Sequence, residues 1–302
     1  MKLDLIENFW NRILNGTATL EEKSDWHTET GHLYQLGISM EETLQYLHKE
    51  RPSLITFIDW IASKSTNVSK SIDIENVLSE KDLAFWEANG YIVIKNAIPI
   101  EDCKATQKAI LEFLEKDIND SSSWYKHHEK QSGLMVHFYN HPTLEKNRAS
   151  VKIQKAYEQL YQTTKIYKTI DKVSFNPPVS NDYHFLGSNL HWDVSLKQPI
   201  PFRLQGLLYL SDCKENEGAF HCVPNFHHQI ASWMEALPSN ENPREFALKT
   251  LVSKPIIGNA GDFVIWHQAL PHCATPNYGK LPRFVQYFTY FPENYTESIE
   301  WI

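Results

Sequence analysis

Apolar residues recur at helical spacing over the first 63 residues of the chain. The first run predicts an amphipathic helix that ends at Asn15-Gly16, with an apolar face formed by Leu3, Ile6, Phe9, Trp10, Ile13 and Leu14. Thr19 to Glu22 and Ser39 to Glu42 both fit a capping box, in which a hydroxyl and a carboxylate each satisfy a free backbone N–H. Pro52 suits the first turn of a further helix. The pattern therefore predicts a helical N-terminal part.

A polar stretch from Ser63 to Ser71 follows, with almost no apolar side chain to bury, and it is typical of a linker. At roughly 150 residues per domain, 302 residues suit two unequal parts. We therefore expect a helical segment of unknown role over residues 1–70 and a second domain over residues 76–302.

The second part begins with helical signals and continues as short strands. Ser79 to Asp82 caps a short helix that ends at Gly90, Tyr91 to Ile94 is a β-branched strand, and Pro99 opens another helix. From about residue 165 the chain alternates between turn residues and short apolar runs. These runs predict strands at Phe202–Leu210, Gly218–Val223, Phe263–Trp266 and Phe284–Phe291. Such a series indicates a mainly β fold, an antiparallel barrel or jelly roll with flanking helices.

Composition and charge exclude several classes of protein. Apolar residues make up 42% and charged residues 22%, an ordinary globular mixture. The net charge of −8 and the lack of a dense Lys/Arg cluster argue against a nucleic-acid partner. No apolar run is long enough to span a membrane. Four scattered cysteines and no secretory signal suit a reducing cytoplasm, so we expect a cytoplasmic protein.

His191 and Asp193 form a His-x-Asp pair that is suited to metal binding. On an extended strand, residues two apart face the same side, with Cα atoms about 6–7 Å apart. With a second histidine they would occupy one face of an octahedron and leave the other face open, as oxygen chemistry at Fe(II) requires. The pair alone is also compatible with an ordinary surface or buried hydrogen bond, so a third ligand is needed.

A second group of residues lies further along the chain. Gly261-Asp262 is a turn that enters a buried strand, and Leu270-Pro271-His272 follows it closely. Arg283 then heads an apolar strand, where a guanidinium is costly to bury unless it meets an anion. Its planar fork suits a carboxylate. A structural aspartate or solvent at the strand end would satisfy it equally well.

The order of these blocks resembles the phytanoyl-CoA dioxygenase family. The blocks are Phe85–Ile94 with Ala97-Ile98-Pro99, the His-x-Asp pair, Glu215–His227, and the run from Gly261-Asp262 through Trp266 and Leu270-Pro271-His272 to Arg283. The resemblance covers residues from about 78 to 292. Members are Fe(II)- and 2-oxoglutarate-dependent oxygenases on a double-stranded β-helix, so the resemblance implies that fold, Fe(II), 2-oxoglutarate and O₂ for this chain.

The resemblance also implies roles for individual residues. His191, Asp193 and His272 match the iron ligands, and Arg283 matches the arginine that holds the distal carboxylate of 2-oxoglutarate. His267 is a rival for the third ligand, but His272 stands 11 residues after Gly261, which is the family's spacing.

One departure from the family concerns a small hydroxyl residue two positions after the distal histidine, where this chain has Ala274. A hydroxyl that assists 2-oxoglutarate binding is then expected from Thr275, Tyr287 or Thr289. Gln205 and Tyr209 could contact the substrate or support the metal ligands, and His221 could contact the substrate, although packing or a polar outer face explains these three side chains equally well.

Taken with the resemblance, the residues predict a dioxygenase that hydroxylates a small or mid-sized organic molecule and releases succinate and CO₂. One alternative is a non-catalytic β-barrel that binds or scaffolds. Another is a cupin-like metal-dependent isomerase or hydrolase, against which Arg283 counts because such enzymes need no clamp for a co-substrate carboxylate. The N-terminal helices could cap the substrate, form a homo-oligomer interface or protect a sheet edge.

Overall fold

The computed structural model describes residues 1–16, 26–65, 74–293, 295 and 300–302. Within these residues the α-helices, α1 to α10 in chain order, are Leu3–Asn15, Trp26–Gln35, Met40–Glu50, Leu54–Lys64, Glu80–Asn89, Ile100–Phe113, Pro142–Arg148, Val151–Tyr161, Ile230–Glu235 and Pro243–Thr250. The strands, β1 to β12, are Tyr91–Ile94, Gln131–Ser132, Met135–Val136, Ile166–Lys168, Val173–Asn176, Leu204–Tyr209, Phe220–Cys222, Lys254–Ile256, Phe263–His267, His272–Cys273, Arg283–Tyr287 and Tyr290–Pro292.

The N-terminal helices form where the apolar pattern predicts them. α1 ends at Gly16, whose φ of 63° is the left-handed conformation that glycine adopts at little cost. Ser39 caps α3 by accepting a hydrogen bond from the Glu42 amide. Pro52 precedes the cap of α4, which is Ser53, and so lies outside the predicted first turn. Helices α1 to α4 enclose their own apolar cluster, formed by Ile6, Phe9, Leu33, Ile38, Leu47, Phe57 and Ile61.

Two of the sequence predictions fall largely on parts of the chain outside the described residues. The predicted capping box from Thr19 to Glu22 lies entirely there, as does most of the predicted linker from Ser63 to Ser71. The first two linker residues are described and are helical, because α4 continues to Lys64.

The start of the second part follows its local signals closely. Ser79 and Asp82 form a complete capping box at α5, and Gly90 ends that helix with a φ of 73°. β1 then pairs antiparallel with β9, and Pro99 stands at the N-cap of α6. The chain thus turns directly from a helix into the edge of the main sheet.

The main sheet has seven strands in the order β1-β9-β6-β11-β5-β3-β2, and neighbouring strands pair antiparallel. Side chains alternate between its two faces, so it separates two apolar cores. Phe263 and Ile265 of β9 belong to the core that also contains Ile110 of α6 and Tyr157 of α8. Val264 and Trp266 face the core shared with a second, three-stranded sheet of β10, β7 and β8. This second core lies beneath the candidate site.

The predicted mainly β fold class is confirmed only in part. The large antiparallel sheet and the N-terminal helices are present, yet only 18% of the chain is strand and the helices hold more residues. Predicted strands are shorter in the structure because their backbone groups find other partners. The predicted strand Phe284–Phe291, for example, divides into β11 and β12, and between them the Thr289 amide donates to the Thr169 hydroxyl. Among the described residues, no helix is long and apolar enough to cross a bilayer.

Candidate metal centre

His191, Asp193 and His272 come together at one place, with one donor atom from each lying within 4.8 Å of the others. His191 and His272 exchange backbone hydrogen bonds of 3.0 and 2.9 Å, which fixes the two distant segments side by side. His272 is also held in β10, where it pairs with Cys222 of β7. His191 lies at a single β-bridge, so the predicted extended conformation is present without a continuous strand.

The hydrogen bonds of the two imidazoles show which nitrogen of each ring is available to bind a metal cation. Nδ1 of His191 lies 2.7 Å from the Asn189 carbonyl, and Nδ1 of His272 lies 3.1 Å from the Leu270 carbonyl. A carbonyl only accepts, so each Nδ1 carries the proton and a neutral ring presents a lone pair at Nε2. Those lone pairs point at the Asp193 carboxylate, at 3.4 Å and 3.2 Å. Four electron-rich atoms therefore converge, as in a metal site.

The charges within the cluster support the same conclusion. Burial disfavours the ionised form of Asp193, but the two facing imidazoles, which donate to it whenever their Nε2 atoms are protonated, outweigh burial and hold the pKa of this carboxyl well below its usual range. Burial likewise opposes the charged form of His191, yet the Asp193 carboxylate raises the pKa of this imidazole. Asp193 is consequently an anion at neutral pH, which is the form that ligates a metal.

Gln205 orients the carboxylate rather than standing free in the cavity. Its Nε2 donates to Asp193 Oδ2 at 2.7 Å, and its Oε1 accepts from the Trp266 indole at 3.0 Å. Gln205 and Trp266 are directly paired across β6 and β9, so the register of the sheet positions these two hydrogen bonds. The sequence leaves open whether Gln205 contacts the substrate or supports a metal ligand, and the structure shows it bonded to the candidate ligand.

Arg244 of α10 binds the backbone on both sides of Asp193. Its guanidinium donates to the carbonyl of Trp192 at 2.9 Å and to that of Val194 at 2.8 Å, the two residues that flank the carboxylate. The Trp192 indole is turned away from the cluster and donates to the Ala269 carbonyl at 2.8 Å. The backbone on both sides of Asp193 is therefore held by one planar side chain from a distant helix.

We predict that Arg244→Gln weakens divalent-metal binding by about tenfold or more, which is the usual effect of removing a group that supports a ligand. Ni(II) titration calorimetry of the purified protein checks this, with the melting temperature followed in parallel. A loss of melting temperature with unchanged Ni(II) affinity would limit Arg244 to a purely structural role. Arg51→Gln, on an exposed residue of the N-terminal part, is the matched control.

A cavity of about 580 Å³ opens in front of the cluster and also reaches Arg283. Arg283 is 3% exposed, and among the described residues its buried Nε has no hydrogen-bond partner. Gly218, at a φ of 79°, lets the backbone approach, since a Cβ there would lie 2.5 Å from Asn176 Nδ2 and 3.4 Å from Arg283 Nε. A buried guanidinium with an unpaired Nε at the wall of a cavity is a ready carboxylate site.

The candidate hydroxyl groups near Arg283 differ in their placement. Tyr287 and Thr289 line the cavity, but the Thr289 hydroxyl is bonded to the Tyr157 hydroxyl at 3.0 Å and to the Leu204 carbonyl at 2.9 Å. Thr275 lies outside the lining, with its hydroxyl donating to the Ala219 carbonyl at 2.8 Å. Of the three candidates, Tyr287 lines the cavity with a hydroxyl that no described residue bonds, four residues along β11 from Arg283.

Two predicted substrate contacts also lie outside the lining of this cavity. Tyr209 is fully buried in the second core, where its hydroxyl donates to the Ile256 carbonyl and accepts from the Phe220 amide. His221 alternates with its strand neighbours and turns toward Ser253, 3.3 Å away. Gln205 and Tyr209 lie on the same face of β6, as the alternation predicts. Gln205 lines the cavity, whereas Tyr209 lies four residues further along the strand and does not.

His267, the rival third ligand, is not part of the cluster found among the described residues. Its Nδ1 accepts from the Ala269 amide at 2.9 Å, and burial together with His227 and His228 lowers its pKa to about 3. The geometry therefore favours His272, as the spacing from Gly261 indicates.

This chain is similar to a known protein family and to a curated relative. The model of the family described as "Phytanoyl-CoA dioxygenase (PhyH)" matches residues 86–285. A curated relative, the "Putative phytanoyl-CoA dioxygenase" of Dictyostelium discoideum, is 24% identical over 270 residues, covering 72% of this chain and 76% of its own length.

Two solved structures show the same fold at low sequence identity. HygX from Streptomyces hygroscopicus, solved with nickel and 2-oxoglutarate bound, has a TM-score of 0.52 at 14% identity, and the match covers 73% of this chain and 90% of HygX. AviO1 from Streptomyces viridochromogenes Tue57 has a TM-score of 0.51 at 14% identity, covering 72% and 96%. The phytanoyl-CoA dioxygenase family uses Fe(II), 2-oxoglutarate and O₂. Since the family model matches well over half of the sequence, this chain belongs to the phytanoyl-CoA dioxygenase family and is an oxygenase-type enzyme.

Proposed function

We propose that this protein is an Fe(II)- and 2-oxoglutarate-dependent dioxygenase that hydroxylates a small or mid-sized organic substrate, with release of succinate and CO₂. The observation that carries the proposal is the convergence of His191, Asp193 and His272 on one cavity that also contains the unpaired Nε of Arg283. HygX, which shares the fold, was solved with a metal and 2-oxoglutarate, so the fold can accommodate both.

Different side chains would bind the metal and 2-oxoglutarate. His191, Asp193 and His272 would hold the metal through two Nε2 atoms and a carboxylate, with Nδ1–H bonds fixing both rings. When bound, Fe(II) supplies the oxygen-activating redox chemistry. Arg283 would bind the distal carboxylate of 2-oxoglutarate by its guanidinium fork. Tyr287, whose hydroxyl has no partner among the described residues, would assist Arg283 from the same strand face.

Aromatic side chains and Gln205 would hold the candidate ligands in place. Phe220 and Trp266 pack around His272, with ring centroids 5.7 and 5.2 Å from its imidazole. Gln205 holds the second oxygen of the candidate carboxylate ligand. These contacts keep the ligands in one geometry before the metal and 2-oxoglutarate bind, which lowers the cost of assembling the site.

The remaining proposals concern architecture. The two antiparallel sheets that enclose the second core support a double-stranded β-helix, with residues 76–302 as the dioxygenase domain and residues 1–70 as an N-terminal helical segment. A homo-oligomer through those helices and a cytoplasmic location stay predictions from the sequence.

The function is tested by incubating the purified protein with Fe(II), 2-oxoglutarate and O₂ and measuring succinate by mass spectrometry. We expect slow succinate formation even without a substrate, and faster formation when a screened compound is hydroxylated. Replacing Fe(II) with Zn(II), which has no redox chemistry, is the control and should abolish succinate. A folded protein that consumes no 2-oxoglutarate under any of these conditions favours the binding-protein or the isomerase and hydrolase alternatives.

A further inference from the structure

The cavity has a second polar end, away from Arg283. It is formed by Tyr34 of α2, Thr169, Asp171, Lys172 and Arg203, which we call the distal pole. Arg283 and Tyr287 stand at opposite ends of β11, and the Tyr287 amide donates to the Lys172 carbonyl. At ~3.3 Å per residue, the distal pole lies roughly 13 Å from Arg283. A bound molecule of moderate size would therefore reach from one end to the other.

Asp171 is the one acidic group in the described lining besides the candidate ligand Asp193. Its Oδ1 accepts from the Lys172 amide at 2.7 Å, and no hydrogen bond is made to its Oδ2 by the described residues. Its side chain is 46% accessible, although burial by the surrounding elements raises its pKa despite nearby cations. The open part of the carboxylate lies at the lining of the cavity.

The neighbouring cations are committed to other groups. Lys172 Nζ donates to Glu41 Oε2 at 3.1 Å and lies 4.0 Å from Asp171 Oδ1. Arg148 donates to the Asp171 backbone carbonyl and lies 3.6 Å from Glu145. Arg203 lies over the Phe291 ring at 4.9 Å. Each cation contacts another group, and Lys172 approaches Asp171 at Oδ1, so Asp171 Oδ2 is left for a ligand.

Tyr34 brings a second open group to the same pole from the N-terminal helices. Its ring stacks on Tyr167, and among the described residues its hydroxyl has no hydrogen-bond partner. The helices are fixed in place by Glu41, which bonds Lys172 and lies 2.9 Å from His137 Nδ1. The segment that precedes the family match therefore supplies part of the cavity wall.

We propose that the distal pole binds a basic nitrogen of the substrate, so that a protonated amine is held by Asp171 and Tyr34 while the other end of the molecule faces the metal centre. This rests on the proposed function, because the other end of the same cavity holds the metal and 2-oxoglutarate. An ammonium group supplies the hydrogen-bond donors that Asp171 Oδ2 and the Tyr34 oxygen lack, and the aromatic rings of the pole also favour a cation. A substrate that ends in an aliphatic chain would leave this carboxylate desolvated and unpaired.

The test compares two probes of equal shape, benzylamine and benzyl alcohol, on protein loaded with Ni(II) and 2-oxoglutarate. Dissociation constants are measured by ligand-observed NMR titration, so no turnover is needed. We expect benzylamine to bind about tenfold or more tightly than benzyl alcohol, as for a buried charge pair. Asp171→Asn should remove this difference, Tyr34→Phe should reduce it, and Asp59→Asn, on an exposed residue of α4, should leave it unchanged.

Equal binding of the two probes by the wild-type protein would overturn the proposal without reference to any variant. A preference for benzylamine that survives in folded Asp171→Asn would overturn it as well. Loading with Ni(II) and 2-oxoglutarate is verified first by calorimetry. If loading fails, the proposed function fails; if loading succeeds and the amine preference is absent, only the assignment of the distal pole fails.

Discussion

Replacement of Asp193 by alanine is expected to abolish succinate formation and to reduce metal binding to the level of a protein without the site. The carboxylate lies between two imidazoles whose Nε2 atoms are 3.4 and 3.2 Å from its oxygens, so its loss leaves two neutral ligands and no anion. His272→Ala should act similarly, since His272 is 7% exposed and leaves a gap in the wall of the cavity.

The experiment measures Ni(II) affinity, succinate formation and circular dichroism for each variant. Asp59→Ala and His48→Ala, which change exposed residues of α4 and α3, serve as matched controls and should match the wild type. The fold should persist in Asp193→Ala, because Gln205 and the two histidines lose only one shared partner. Wild-type succinate formation by a folded Asp193→Ala variant would remove Asp193 from the metal centre.

The second large effect is expected for Arg283→Gln. The wild-type guanidinium is buried and its Nε is unpaired, so a co-substrate carboxylate would complete it. Removing one member of a buried, hydrogen-bonded charge pair costs ~2–5 kcal/mol, so KM for 2-oxoglutarate should rise roughly 30-fold or more. Ni(II) affinity in the absence of 2-oxoglutarate should change little, because Arg283 contacts no candidate ligand.

Arg283→Lys separates charge from geometry. Lysine keeps the positive charge but loses the planar fork, so KM should lie between those of wild type and Arg283→Gln. Steady-state kinetics with varied 2-oxoglutarate measure this order. Unchanged KM in both variants would assign the 2-oxoglutarate carboxylate to another group.

The parts of the site that could be predicted from sequence are those that local spacing encodes. The His-x-Asp pair indicated part of the cluster and the capping box at Ser79 indicated α5, whereas His272 was indicated by the resemblance to the family, whose spacing after Gly261 it matches. Arg244, Asp171 and Tyr34 have no such signal. Arg244 reaches backbone carbonyls 50 and 52 residues away, and a hydrogen bond to a carbonyl requires no particular residue there. Such contacts depend on how distant elements pack, which neither periodicity nor spacing reveals.

The fold shows the same division. Helix ends with capping residues or glycine were predictable, because the groups that satisfy the free N–H and C=O groups are close in sequence. Strand lengths were not, since ladder pairing depends on distant partners. The break between β11 and β12 arises where the Thr289 amide donates to the side chain of Thr169, 120 residues earlier in the chain.

The central claim is that two imidazoles and one carboxylate bind Fe(II) and leave room for a chelating 2-oxoglutarate. Its most direct test is the visible spectrum of the anaerobic protein after addition of Fe(II) and then 2-oxoglutarate. We expect a weak metal-to-ligand charge-transfer band that requires both additions, saturates at one equivalent of Fe(II) and is absent from the Asp193→Ala variant. A folded wild-type protein that gives no such band and binds neither Fe(II) nor 2-oxoglutarate would contradict the account.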